Sequence, residues 1–324
     1  MTPWQAFAAY GGRGWRRRAA TLGQEIADGG GVWAPMRADS EYRRLKAVLL
    51  HRPGGEIASI RDPNAAQHLA RLDPARLRRE LSALAAVYRR LGVVVEWMDG
   101  GPFPGKRGTG RWNLMYVRDL FFTTREGAVL ARMASLVRAG EEKFAARTLA
   151  RLGVPINRGV AGRGLFEGAD ALWLDRETIL CGVGGRTNDD GFRQLRQALA
   201  PQDALVLPVR VPRGAQHLLG LLQIVDRRLA LLRADIAPAS LRRLLGRRGF
   251  RVIAIPESEE TTTQGGMNVV AVAPRLLVMP SGCPNLKRLY LRSGLRVAAE
   301  TPAIELLKGG GGIACATGVL WREA

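Results

Sequence analysis

Ala171-Leu-Trp-Leu174, Thr178-Ile-Leu-Cys181, a helical pattern over Asp190 to Leu199 and Ala204-Leu-Val-Leu-Pro-Val209 follow one another directly in the chain. Short apolar runs between polar and glycine residues read as strands, and apolar residues at helical spacing read as a helix. The order is therefore strand, strand, helix, strand, and working outward it recurs. Downstream lie His217 to Ile224, Leu229 to Leu232, a helix over Ser240 to Leu245 and Arg251-Val-Ile-Ala-Ile255. After them come Asn268-Val-Val-Ala-Val272, Leu276-Leu-Val-Met279, a helix over Pro284 to Arg292 and Leu295-Arg-Val297. Upstream, Leu114-Met-Tyr-Val117, Leu120-Phe-Phe122 and Gly127-Ala-Val-Leu130 read as strands, followed by a helix near Glu141 to Leu152 and the strand Val154 to Ile156. The first unit has the strand Lys46 to Arg52 closed by Pro53-Gly-Gly55, a helix over Asp73 to Tyr88 with Asp73 as its N-cap and Pro74 in its first turn, and the strand Val93 to Trp97. Repetition at roughly 45 residues marks an array or propeller of supersecondary units. Closed into a ring, such units point inward to one central cleft. Plain α/β layering is the alternative.

The last unit runs into Lys308-Gly-Gly-Gly-Gly-Ile-Ala-Cys315-Ala-Thr317. Glycines lack a Cβ and let backbone approach a ligand closely. A cysteine behind such a run, near the Thr317 hydroxyl, reads as a presented nucleophile; a tail with one buried thiol is the plainer reading.

Composition narrows the class. Hydrophobic residues make up 47% of the 324, ample for a core, so the chain is not disordered. No apolar run approaches the roughly 18 residues of a spanning helix. Near the N-terminus Trp4, Phe7 and Trp15 precede Arg16-Arg17-Arg18, the reverse of a signal peptide, which places the expectation in the cytoplasm. Residues 1 to 38 read as an extension ahead of the repeats, with a helix over Gly14 to Ile26 and a homodimer contact as one use. Three cysteines, Cys181, Cys283 and Cys315, form no CxxC, which points away from a metal or disulfide framework. The net charge of +20 comes mostly from arginines dispersed over helices, without aromatic interleaving or a zinc-finger spacing, so neither a nucleic-acid nor a membrane partner is expected. The charge does favour fast, salt-sensitive capture of anions.

Chemistry-bearing residues collect at strand ends. Asn113, Arg118 and Asp119 stand in the second unit, Glu167 and Asp170 before the third, and Arg186-Thr-Asn188 in a loop of the third. His217 opens the fourth unit, Asn268 the fifth, and Cys315 follows the glycine run. Each alone is an ordinary turn or core residue.

In this order they resemble the guanidino-group-modifying enzymes of the pentein fold: arginine deiminases, amidinotransferases and dimethylarginine dimethylaminohydrolases. The resemblance starts at Asp39-Ser-Glu-Tyr-Arg-Arg-Leu-Lys-Ala-Val-Leu-Leu-His-Arg-Pro-Gly54. It continues through Arg118-Asp119, Glu167-Gly-Ala-Asp170, Arg186-Thr-Asn188, His217-Leu218, Asn268-Val-Val-Ala-Val-Ala-Pro274 and the Cys315 loop, covering about residues 39 to 324. It implies an α/β pentein of five pseudo-symmetric ββαβ units around a central active site. It further implies Cys315 as nucleophile, His217 as acid and base, and Glu167 as its orienting partner. Asp119, Asn113, Arg186 and Asn268 fall on the substrate side, with no metal or organic cofactor. A guanidinium is planar and cationic and suits carboxylates; a thiolate attacks its carbon, and the amine leaves once protonated.

The chain departs from the family pattern at His217-Leu218-Leu219, where deiminases and many amidinotransferases read His-Leu-Asp, and at Ala314, where deiminases often carry a polar residue. Arg186 and Arg138 are the candidates left to hold a substrate carboxylate. The leading expectation is a hydrolase acting on arginine or a substituted guanidine through a covalent thiouronium intermediate. Amidino transfer to an amine is the second, and a non-catalytic scaffold binding an anionic partner the third.

Overall fold

The protein is described by a computed structural model over residues 3–29, 31–101 and 111–323. Its strands are β1 (Leu45–Leu50), β2 (Val94–Trp97), β3 (Phe121–Thr124), β4 (Gly127–Leu130), β5 (Ile156–Gly159), β6 (Ala171–Asp175), β7 (Thr178–Val183) and β8 (Leu205–Arg210). There follow β9 (Leu222–Asp226), β10 (Leu229–Leu232), β11 (Arg251–Ala254), β12 (Val270–Ala273), β13 (Leu276–Pro280), β14 (Arg296–Thr301) and β15 (Gly318–Arg322). They form five three-stranded sheets: β15-β1-β2, β3-β4-β5, β6-β7-β8, β9-β10-β11 and β12-β13-β14. In each, the first strand runs antiparallel to the middle one, and the middle one runs parallel to the third. The parallel step needs a crossover, supplied by helices Pro74–Arg90, Glu142–Arg151, Asp189–Leu199, Ala239–Arg247 and Pro284–Arg292. This is the mixed α/β pentein architecture.

Each middle strand is covered on both faces, which explains its unbroken apolar sequence. In β1, Ala47, Val48, Leu49 and Leu50 are all fully buried. The helix Pro74–Arg90 begins as its sequence predicts: the Asp73 carboxylate accepts the N–H groups of Ala75 (2.8 Å) and Arg76 (3.1 Å), with proline at the first position. Its Leu77, Leu81, Leu84 and Tyr88 recur at helical spacing and enter the core. The buried Trp173 ties the second and third units together, donating its indole N–H to the Thr123 carbonyl (3.1 Å) and stacking on Phe122.

The first unit is where sequence and structure part. It lacks a first strand of its own, and β15 supplies it from the far end of the chain, pairing Leu45 with Arg322, Val48 with Val319 and Leu49 with Gly318. The sequence reading covers the stretch through Arg322 but assigns no strand to it. Two expected strands also change. Leu114 to Val117 is buried on all sides and so looks like a strand, yet it turns: Tyr116 N–H donates to the Asn113 carbonyl and Asp119 N–H to the Tyr116 carbonyl, closing the 3-10 turn Val117–Asp119. His217 to Ile224 begins likewise with the turn Leu218–Gly220, and only Leu222 onward is strand. In the extension the helix is confined to Leu22–Ala27, started by Thr21 and Gln24 in a reciprocal capping box.

Candidate active site

The five units share a second regularity. Ahead of each first strand the chain makes a tight inward turn, and each turn carries one polar residue to the middle. Asp119 precedes β3, Glu167 precedes β6, His217 precedes β9, Asn268 precedes β12 and Cys315 precedes β15. Asp119, His217 and Cys315 line one small cavity together with Arg186. Glu167 stands behind it and is completely buried.

The His217 Nε2 lies 2.6 Å from Glu167 Oε2. Burial opposes the charge of both. It is outweighed for the imidazole by the charge of Asp119 and the Glu167 bond, which push His217 up, and for the carboxyl by the His217 bond and the charges of Arg138 and Arg186, which hold Glu167 down. The pair is an imidazolium and a carboxylate at neutral pH. Glu167 is fixed further by the Ala134 N–H on Oε1 (3.1 Å). Arg186 stands 3.6 Å from Glu167, with its side chain 21% exposed.

Arg138 is the centre of the acidic side. Its Nη1 meets Asp119 Oδ2 at 2.5 Å, its Nε meets Glu141 Oε2 at 2.8 Å, and Glu167 is 4.0 Å away. Burial drives the Glu141 carboxyl up to about 7 even against Arg138. Asp119, Glu167 and His217 bring donor atoms within 4.8 Å of one another, a metal-like grouping, but Arg138 already supplies the positive charge among them. One atom is left over. Asp119 Oδ1 is buried and has no hydrogen-bond partner. A buried carboxylate oxygen without a donor is costly and points to a ligand.

On the opposite wall the Cys315 thiol is half-buried. Asn268 Nδ2 donates to its sulfur at 3.2 Å, while Asn268 Oδ1 accepts the Ala314 N–H at 2.6 Å. The amide is thereby turned with its donor toward the sulfur. Burial and the Asp119 charge raise the thiol above its ordinary value; the Gly312 N–H and Asn268 work the other way. The glycine run is tightly packed rather than loose. A Cβ on Gly311 would stand 2.5 Å from the Tyr116 ring, and one on Gly312 2.6 Å from the Asn268 side chain. Helix Pro74–Arg90 braces the segment: the Glu80 carboxylate accepts the Glu305 N–H (3.0 Å), and the Tyr88 hydroxyl donates to Thr317 Oγ1 (2.7 Å).

The structure brings Cys315, His217, Glu167, Asp119, Arg186 and Asn268 together. Asn113 lines the same cavity, but its amide is spoken for: Nδ2 donates to the Ala66 carbonyl (2.9 Å), and Oδ1 accepts from His68 Nε2 (3.2 Å). Its work is to hold the chain at residues 66–68. Asn268 sits on the Cys315 thiol. Arg138, considered in the sequence as a carboxylate clamp, is turned inward on Asp119 and Glu141. The three-residue spacing of Arg138 and Glu141 ahead of a helix was the available signal for that pair.

The chain is similar to several known proteins. A family model for arginine deiminase matches residues 112–240. The N(G),N(G)-dimethylarginine dimethylaminohydrolase of Streptomyces coelicolor is 36% identical over 97 residues, 30% of this chain and 37% of that protein. The chain spans less than two thirds of the length of the curated relatives it matches. Among solved structures, an amidinotransferase of Microseira wollei from saxitoxin biosynthesis superposes with a TM-score of 0.69 at 15% identity, over 90% of this chain and 98% of that one. The dimethylarginine dimethylaminohydrolase of Pseudomonas aeruginosa complexed with citrulline superposes with a TM-score of 0.66 at 21% identity, over 85% and 98%.

Proposed function

We propose that this chain, which belongs to the guanidino-modifying pentein superfamily, is a cysteine-dependent hydrolase that cleaves a C–N bond of a guanidino compound through a covalent adduct on Cys315. The working unit is residues 39 to 324, in the cytoplasm, with 1 to 38 as an extension. The observation that carries the reading is the unpartnered Asp119 Oδ1, buried in the cavity that Cys315 and His217 also line. A guanidinium N–H is the donor it lacks. Bound there, the planar cation puts its central carbon before the sulfur.

The cation also solves the thiol's problem. Asp119 disfavours the thiolate in the free protein, and a guanidinium on Asp119 cancels that charge. The thiolate then adds to the carbon and forms the C–S bond. The His217 imidazolium gives its proton to the leaving nitrogen, the C–N bond breaks and an amine or ammonia departs. The neutral imidazole next takes a proton from water; the hydroxide adds to the thiouronium carbon, and the C–S bond breaks to return the thiolate and a ureido product. Glu167 keeps the imidazole in place and charged between turnovers.

A second reading, transfer of the amidino group to an amine, draws on the amidinotransferase neighbour and on a wide chamber of about 800 Å³ that opens at Cys315. The test is mass spectrometry of incubations with arginine, dimethylarginine, agmatine and guanidinoacetate, with and without amine acceptors. Exchange of one guanidine nitrogen for oxygen is expected. Movement of the whole amidino group to an acceptor would replace hydrolysis by transfer, and no turnover with a protein that retains its fold would count against both.

A further inference from the structure

Two spaces meet at Cys315 and His217. One is the small ionic cavity of Asp119 and Arg186; the other is the wide chamber. Their shared wall is Gln216, His217, Gly310, Gly311 and Cys315. A guanidine whose N–H groups face Asp119 has its carbon at the sulfur, so a substituent on the remaining nitrogen has the chamber before it.

The buried part of the chamber wall is largely apolar. Leu219, Met267 and Ala303 are buried there, and Leu307 packs down on Gly265. Several of its polar side chains are already bonded within the protein. Arg233 is paired with Glu257 (Nε to Oε1, 2.8 Å) and Lys308 with Glu305 (2.9 Å). The Thr261 hydroxyl donates to the Pro256 carbonyl (2.7 Å) and the Thr262 hydroxyl to the Ser258 carbonyl (2.9 Å). Among the described residues every charged side chain lining the chamber, His217 included, has an ion-pair partner. Arg138, the cation nearest the guanidinium position, is buried and held by Asp119 and Glu141.

We infer that the chamber receives an apolar, carboxylate-free tail, so that the preferred substrate is a guanidine bearing an alkyl or aryl substituent rather than a free amino acid. This rests on the proposed reading of Cys315 and Asp119. A carboxylate in the chamber would give up its water without a free cation to replace it, whereas a hydrocarbon tail gains by leaving water.

The test uses 2-chloroacetamidine, whose amidinium mimics the guanidinium head and whose chloride is displaced by the thiolate to leave a thioether on Cys315. It is compared with its N-hexyl and N-(5-carboxypentyl) derivatives and with neutral 2-chloroacetamide, the modification rate of Cys315 being followed by intact-protein mass spectrometry. The hexyl compound is expected to react at least about tenfold faster than the parent, and the carboxypentyl compound no faster. A hexyl rate equal to the parent's, or a carboxypentyl rate as high as the hexyl rate, overturns the inference while leaving the head-group reading intact. If no amidine outpaces chloroacetamide, both fall together. In Leu307→Asp the ratio of hexyl to parent rates should drop to within about twofold of one, and Leu307→Met should keep it high. A ratio unchanged in Leu307→Asp removes the chamber as the tail's place.

Discussion

The two walls of the cavity are made from the same structural part, an inward turn ahead of a first strand, yet they are opposite in electrical character. The turns before β3, β6 and β9 bring Asp119, Glu167 and His217, knit by Arg138 into a buried ionic lattice. The turns before β12 and β15 bring an amide and a thiol, both uncharged in the free protein. Even neighbours on one turn are set apart. Glu167 is held low by His217 and two arginines, whereas burial pushes Asp170, bonded to Thr187 Oγ1 (2.7 Å) and the Leu218 N–H (2.9 Å), up to about 6. Position in the repeat decides where a side chain arrives; the company it meets decides its charge. In the proposed reaction the lattice binds and protonates, and the neutral wall attacks.

The strongest way to break this division is to remove the attacking atom. Cys315→Ser should lower kcat by about 10³ or more while leaving the thermal melt unchanged, since a hydroxyl fits the space but is rarely ionised. Turnover near that of the parent protein would unseat the nucleophile. Next in size is Asp119→Asn, which strips the anchor from the lattice. It should cut kcat/KM by about 10² or more, of the order of breaking a buried charged pair. The same change should lower the thiol pKa, because the Asp119 charge raises it. Alkylation of Cys315 by iodoacetamide against pH checks this, and an unchanged midpoint would mean that the two walls are not coupled.

The pH profile tests both walls at once. The raised His217 is protonated at neutral pH, so its pairing with Glu167 is present below the ordinary histidine pKa and is lost as pH rises through about 9. On the acid side the depressed Glu167 keeps its charge until pH is well below the ordinary carboxylate range. Activity, measured as kcat/KM, should climb with pH as the thiolate appears and turn down above about 9. A profile still rising at pH 10 would exclude His217 as the acid. The smallest expected effect is at Asn268→Leu, which removes the hydrogen bond to sulfur and should raise the thiol pKa, since that bond works to lower it. An unchanged alkylation profile would make Asn268 a packing residue alone.

Much of this was legible in the sequence, for a physical reason. Strands buried on both faces must be apolar, so runs such as Thr178-Ile-Leu-Cys181 stand out, and the polar residue just before a first strand stands out against them. Asp119, Glu167 and His217 stand at such places, and the resemblance to a known family gave them their roles and added Asn268. The failures have an equally local origin. Leu114 to Val117 is apolar because it is buried, not because it is extended, and burial alone does not tell turn from strand. Asn113 looks available until its bonds to Ala66 and His68 are seen. Gly318 to Arg322 is a strand only because β1 is there to receive it, a pairing across the whole length of the chain.

That last pairing has a consequence for biosynthesis. As the chain leaves the ribosome, β1 and β2 emerge early, and the apolar edge of β1 then waits through the synthesis of four further units before Gly318–Arg322 reaches it. Cys315 arrives with that strand, three residues ahead of its first residue. The nascent protein thus carries an open strand edge for most of its synthesis and acquires the Cys315 thiol only as that edge is sealed, so under the proposed function growing chains stay inert until the ring has closed.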